Sequence, residues 1–193
     1  MTGEATLLEK TPDSWIEAVL ADFSSFLLDH AAAERKASAM AVSFVVQYPD
    51  RFELHTPMIR LAREELLHYQ QVMSLIHKRN LVWERDVKDP YVAALRDLIR
   101  TQREKRLLDR LLVGSVIEAR GVERFGLVGE HVPDPDLARF YARLAKSEAN
   151  HADLFTRLAR KYFASAEIQE RLAWWRAREA EAMLAVPPRA ALH

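Results

Sequence analysis

The sequence predicts an all-α fold: a four-helix bundle with one long crossover and an additional C-terminal helix. Three observations predict it. Apolar residues recur at helical spacing along almost the whole chain, and no stretch alternates strictly enough for a strand. Only 5 Gly and 8 Pro occur in 193 residues, too few turn formers for a large β-sandwich. Four long helical stretches are divided two and two by one long middle connection.

The first helix should run from 13 or 14 to about 46 and stop at Tyr48-Pro49, because the residue before a proline is pushed out of the helical region. The second should start at Thr56-Pro57, with Thr as N-cap and Pro at the first helical position. It should end near Arg79, where Lys78 and Arg79 suit the negative end of the dipole. Residues 80–104 read as a connection holding Asp89-Pro90 and a short helix over 91–100. The third long helix spans about 105–129, the fourth about 136–163. A last amphipathic helix over about 166–184, docked by Trp174-Trp175, precedes a loose Pro187-Pro188 tail. One domain over 1–193 is expected, with its bundle core at about 14–163.

Lys+Arg and Asp+Glu balance at 28 each. Bulk charge therefore announces no polyanionic partner, and any such surface must be a local patch. The chain has no cysteine, which excludes disulfides, thiolate zinc or iron–sulfur sites and a cysteine nucleophile. The first residues, MTGEATLLEKTPDSW, lack the basic-then-apolar pattern of a secretory leader. The longest apolar run, near 40–46, is far short of the roughly 20 residues of a membrane span. A cytoplasmic protein without a membrane partner is expected. No G-x-G-x-x-G or G-x-x-x-x-G-K-[ST] occurs, so no nucleotide or flavin site is evident.

Two of the seven histidines follow a Glu by three residues: Glu65/His68 and Glu148/His151. With 17 Glu in the chain, about 0.6 such pairs arise by chance, so the bare motif is weak. Position strengthens it, because residues three apart share a helix face. The face of Glu65 and His68 also carries Met58, Leu61, Ala62, Val72 and Leu75. That of Glu148 and His151 carries Tyr141, Leu144, Ala145, Ala152, Phe155 and Leu158. Each remaining long helix has one acid on its apolar stripe: Glu34 among Phe23, Leu27, Ala31, Ala37, Ala41 and Val45, and Glu118 among Leu111, Gly114, Ser115, Gly121, Val122 and Phe125. Small residues leave room beside both acids. The spacing repeats, 31 residues from Glu34 to Glu65 and 30 from Glu118 to Glu148, like a duplicated helical hairpin.

Four carboxylates in one core cannot persist without cations or protons, since each buried unpaired charge costs several kcal/mol. Two divalent ions would neutralise them. Four Glu and two His form the ligand set of ferritin-like di-iron and di-manganese carboxylate sites. Carboxylate and imidazole suit iron or manganese, while zinc or cobalt could also enter. The competing reading has surface Glu and ordinary core His. Glu64 and Glu123 lie off the chosen faces and read as solvated. His30, one turn before Glu34, reads as a satisfied core histidine or a ligand's support. Tyr69 and Tyr141 read as packing. The basic runs at 35–36, 103–106 and 157–161 read as solvated faces and as the best places to look for phosphate contacts.

The stretches LDHAAAERKA (28–37), LAREELLH (61–68), IEARGVERF (117–125) and SEANH (147–151) together resemble one family. It is the bacterial tRNA hydroxylase acting on methylthio-isopentenyl-adenosine, a family of non-haem di-iron monooxygenases. The resemblance covers about 15–165, and Glu-Ala-Arg-x-x-Glu-Arg-Phe is its most specific part. Where the family often has Ser-Cys at the two x positions, this chain has Gly121-Val122. The resemblance implies a two-iron centre held by Glu34, Glu65, His68, Glu118, Glu148 and His151, with O2 as co-substrate. It implies hydroxylation of a terminal methyl of the isopentenyl group beside the anticodon, on a base splayed from a single-stranded loop. Electrons would come from a separate donor protein, and the chain would act as a monomer or small homo-oligomer. The alternatives are a ferritin-type iron-binding or ferroxidase protein, another di-metal enzyme such as a manganese catalase or an aldehyde-oxidising relative, and a purely structural helical module.

Overall fold

The computed structural model describes residues 7–83 and 85–193; the reading of the leaderless start therefore lies partly outside the described residues. Seven helices and no strand occur among them. They are α1 Asp13–Ala21, α2 Phe23–Gln47, α3 Phe52–Lys78, α4 Pro90–Asp97, α5 Arg103–His131, α6 Pro135–Ala159 and α7 Ser165–Ala185. The chain divides into two compact units. One comprises Glu17–Val87 with Arg189–Leu192, and the other the residues through Ile16, Lys88–Pro188 and His193.

In the Glu17–Val87 unit, α2 and α3 pack against each other. The single first helix expected from the sequence is broken at Asp22. Its carboxylate accepts from the Ser25 backbone N–H at 3.0 Å and from the Ser25 hydroxyl, so a side-chain cap restarts the helix there. The second helix begins at Phe52, four residues before the expected Thr56 cap, with Pro57 inside it. Pro57 sits so near the helix start that it forfeits one bond, to the Glu53 carbonyl, while Leu54 and Met58 are already buried. The C-terminus of α3 closes as a Schellman motif. Asn80, in the left-handed region at φ 53°, donates to the His77 carbonyl, and Leu81 donates to that of Ile76. Asparagine tolerates that conformation better than most residues.

In the other unit, α5 and α6 pack together, and α4 and α7 pack on each other and on α5. Residues 107–116 of α5 are all buried because the helix is covered on more than one side. Asp89 and Asp134 cap α4 and α6, each followed by Pro at the first helical position. α7 docks through Trp175, wholly buried, whose indole N–H points at Asp109 at 3.4 Å. Asp109 also accepts from Arg100 and Arg171, which ties the segment after α4 and the helix α7 to one buried carboxylate.

The tail is not loose. In one unit Leu192 donates its N–H to Asp29 Oδ2 at 2.8 Å; in the other His193 stacks on Tyr91 with ring centroids 5.2 Å apart. Pro187-Pro188 only marks where α7 must stop.

Candidate metal centre

In the Glu17–Val87 unit, α2 supplies Glu34 and α3 supplies Glu65 and His68, all buried. Ser38 donates its hydroxyl to the Ala62 carbonyl at 2.8 Å, one turn from both Glu34 and Glu65. With Ala31 and Ala41 also small, the helices approach closely there. His68 Nδ1 lies 3.5 Å from Glu65 Oε2 and 3.7 Å from Glu34 Oε2. Each of the three residues offers a ligand atom within 4.8 Å of the others. Donors bound to one cation at about 2.1 Å stand roughly 3–4 Å apart, so this spacing fits a shared ion. His30, fully buried one turn before Glu34, donates from Nε2 to Glu34 Oε1 at 2.7 Å. It thus orients Glu34 and is itself satisfied by that carboxylate, which fits both roles its position suggested.

In the other unit, α5 supplies Glu118, half-buried, and α6 supplies Glu148 and His151, both 2% exposed. Their ligand atoms also lie within 4.8 Å of one another, and His151 Nδ1 is 2.6 Å from Glu148 Oε2. Ser115 donates to the Ala152 carbonyl at 2.9 Å, so this pair too is closed by a small hydroxyl residue on a facing carbonyl. Gly114 sets the approach: a Cβ there would meet the Phe155 ring at 3.0 Å. Gly121, one turn past Glu118, has open space, with nothing within 4 Å of where its Cβ would stand.

Each unit therefore gathers two carboxylates and an imidazole in an apolar setting. Oxygen and nitrogen donors of this kind fit iron, manganese or zinc. Glu64 is exposed and Tyr141 is packed among Phe125 and Phe140, as expected. Tyr69 meets Trp83 edge-on.

Glu123 is not a solvated acid. It accepts from the Thr11 N–H at 3.1 Å and its hydroxyl at 2.7 Å, and pairs with Arg120. Arg120 is wholly buried and makes a bidentate pair with Glu179 on α7, Nε to Oε1 at 2.8 Å and Nη2 to Oε2 at 3.0 Å. It also donates to Thr11 Oγ1 and the Glu9 carbonyl, while Tyr91 donates to Glu179 Oε1 at 3.0 Å. Arg124 stacks on Trp15 at 4.9 Å. Burial alone would lower the Arg120 guanidinium, but the hydrogen bond and charge of Glu179 outweigh it and hold it above its ordinary value. For Arg124 burial, the largest effect, outweighs the raising charges of Tyr91, Glu123 and Glu179 and pushes it down to about 10. Burial, then the Glu179 charge, drive Tyr91 well above its ordinary value.

The polar residues of Glu-Ala-Arg-x-x-Glu-Arg-Phe thus divide by face, Glu118 toward Glu148 and His151, and Arg120, Glu123 and Arg124 toward this buried network. Sequence reasoning left the second role out. The available signal was three polar residues at i, i+3, i+4 on a helix otherwise apolar over most of its surface.

The chain matches, over residues 2–193, the family model described as tRNA-(MS[2]IO[6]A)-hydroxylase (MiaE). It is 42% identical over 171 residues to a tRNA 2-(methylsulfanyl)-N(6)-isopentenyladenosine(37) hydroxylase of Pseudomonas putida, covering 89% of this chain and 83% of that one. A Salmonella typhimurium protein of the same name is 33% identical over 127 residues; the match covers 66% of this chain and less than half, 46%, of that protein. Among solved structures, protein 43 with aldehyde deformylating oxygenase activity from Synechococcus matches with a TM-score of 0.91 and 37% identity, over 97% of this chain and 94% of that one. The fold class is the one the sequence predicts, all-α and ferritin-like. No described helix is long and apolar enough to cross a membrane.

Proposed function

The chain belongs to the tRNA-(MS[2]IO[6]A)-hydroxylase family, and we propose that it is an O2-dependent tRNA hydroxylase acting on the isopentenyl group of methylthio-isopentenyl-adenosine beside the anticodon. The two buried ligand sets carry the chemistry. Glu34, Glu65 and His68 would hold metal in one half, Glu118, Glu148 and His151 in the other, and together they would hold two iron ions. In each set two carboxylates would balance one divalent ion, which would remove the penalty for burying the acids. Bound iron would supply the reduction of O2: a C–H bond, O2, two electrons and two protons become C–OH and water.

The chain's own residues would do the rest. His30 holds Glu34 in one orientation by its 2.7 Å hydrogen bond. Leu61, Val72, Leu144 and Phe155, all buried beside the ligands, exclude water from the oxidant. The sequence offers no nucleotide- or flavin-binding motif, and the two electrons would come from a separate donor protein. A tRNA substrate would place the enzyme in the cytoplasm.

The test is nucleoside analysis of tRNA bearing the modification after incubation with iron-loaded protein, reductant and isotopically labelled dioxygen. One labelled oxygen atom in the isopentenyl group is expected. The 37% identical aldehyde deformylating oxygenase gives a second reading a footing. Unchanged tRNA with consumption of a long-chain aldehyde in a parallel incubation would replace the first reading with the second.

A further inference from the structure

We propose that the outward face of α6 is the docking surface for the phosphate backbone of the RNA, which rests on the tRNA reading above. Arg139, Arg143, Lys146 and Arg157 lie on α6, and Arg160 and Lys161 follow directly at its end; all six are exposed. At 100° per residue, the four helical cations fall within about 60° of one another, on the side opposite Glu148. From Arg139 to Arg157 the stripe runs about 27 Å at 1.5 Å per residue.

The chain as a whole is neutral, so this is segregated charge. Arg139 pairs with Asp136. Among the described residues Arg143, Lys146, Arg157 and Lys161 form no ion pair, and two acids border the stripe: Asp136, the partner of Arg139, and Asp153, half-buried.

A second observation selects the partner. Large apolar side chains are exposed on α2 (Val42, Val46) and α3 (Phe52, Ile59, Leu66, Leu67), yet none on α6. A protein partner or a lipid surface would need apolar area to bury. A row of cations without it matches a polyanion, whose backbone contacts are electrostatic and independent of base identity. Arg139, Arg143 and Lys146 step about 4.5–6 Å along the axis, a stride comparable to successive phosphates on a strand, and Arg157 follows about 16 Å further on.

The test is the full-length quadruple variant R143Q/K146Q/R157Q/K161Q. Gln keeps the helix propensity of Lys and Arg, and thermal melting and metal content verify the fold. Binding of an unmodified anticodon stem-loop is followed by fluorescence anisotropy against salt. Losing four contacts should flatten the slope of log affinity on log salt by about 3. Between about 50 and 200 mM salt the wild type then loses about 60-fold more affinity than the variant. The double variant R143Q/K146Q should show half the change in slope, and serves where the quadruple variant melts early. On the iron-loaded enzyme, tRNA hydroxylation should fall while hydroxylation of the free nucleoside stays at the wild-type rate.

A wild-type salt slope in the variants overturns the proposal. So does wild-type protein that binds anionic vesicles but not the stem-loop. Failure of the hydroxylase reading is distinct: wild-type protein would then leave both tRNA and nucleoside unchanged, and the salt slope would still decide the stripe.

Discussion

Replacing Glu179 by Ala would strip Arg120 of its bidentate partner while both lie at 0% exposure. Two charge-assisted bonds, at 2.8 and 3.0 Å, disappear, and the Tyr91 hydroxyl loses its acceptor. Breaking a buried pair by removing one member costs about 3–5 kcal/mol, because the other charge stays buried. Arg120 keeps Thr11, the Glu9 carbonyl and Glu123, so the lower end, about 3 kcal/mol, applies. For a chain of this length that lowers the thermal midpoint by about 6–12 °C. Calorimetry of the metal-free protein measures it. Iron content should stay at the wild-type level, since Glu118 faces the other way. The double variant Arg120→Met/Glu179→Leu should recover at least half of the loss, because it leaves no stranded guanidinium. A Glu179→Ala midpoint within about 2 °C of wild type, or a double variant less stable than the single, would refute the stranded-charge account.

Glu118→Ala should lower bound iron after anaerobic loading and abolish hydroxylation while far-ultraviolet dichroism stays helical; wild-type iron content would remove Glu118 from the site. Burial would raise the Asp109 carboxyl, but hydrogen bonds from Arg100 and Arg171 outweigh it and hold it below its ordinary value. A depressed acid stabilises fully above its unfolded value near about pH 4, and loses that contribution as pH falls through the folded value. The denaturant midpoint of wild type should therefore converge on that of Asp109→Asn below about pH 4; a constant gap down to about pH 2 would contradict the assignment. Gly114→Ala sets a Cβ 3.0 Å from the buried Phe155 ring. Overpacking of about 1–3 kcal/mol exceeds the helix gain of about 1 kcal/mol, so the melting temperature should drop and partly recover with Phe155→Leu; a stabilised Gly114→Ala would show that the ring yields freely.

What the sequence determined by itself is whatever depends on neighbours within a turn or two. Helical periodicity marked all the long helices. Glu-x-x-His placed Glu65 with His68 and Glu148 with His151 on single faces, because residues three apart on a helix are always neighbours. The single acids Glu34 and Glu118 were legible because they interrupt apolar stripes. Local competition explains the misplaced boundaries: the Asp22 cap splits what periodicity alone joined, and burial of Leu54 carries α3 back past Thr56 despite Pro57. Only the tertiary structure decided the rest. Glu123 meets Thr11 across 112 positions, Arg120 meets Glu179 across 59, and Leu192 reaches Asp29 across 163. Pairing over such separations leaves no periodic trace. A charged side chain looks solvated in sequence until another element covers it, and what covers α5 is α7, whose own pattern says only that one of its faces is apolar.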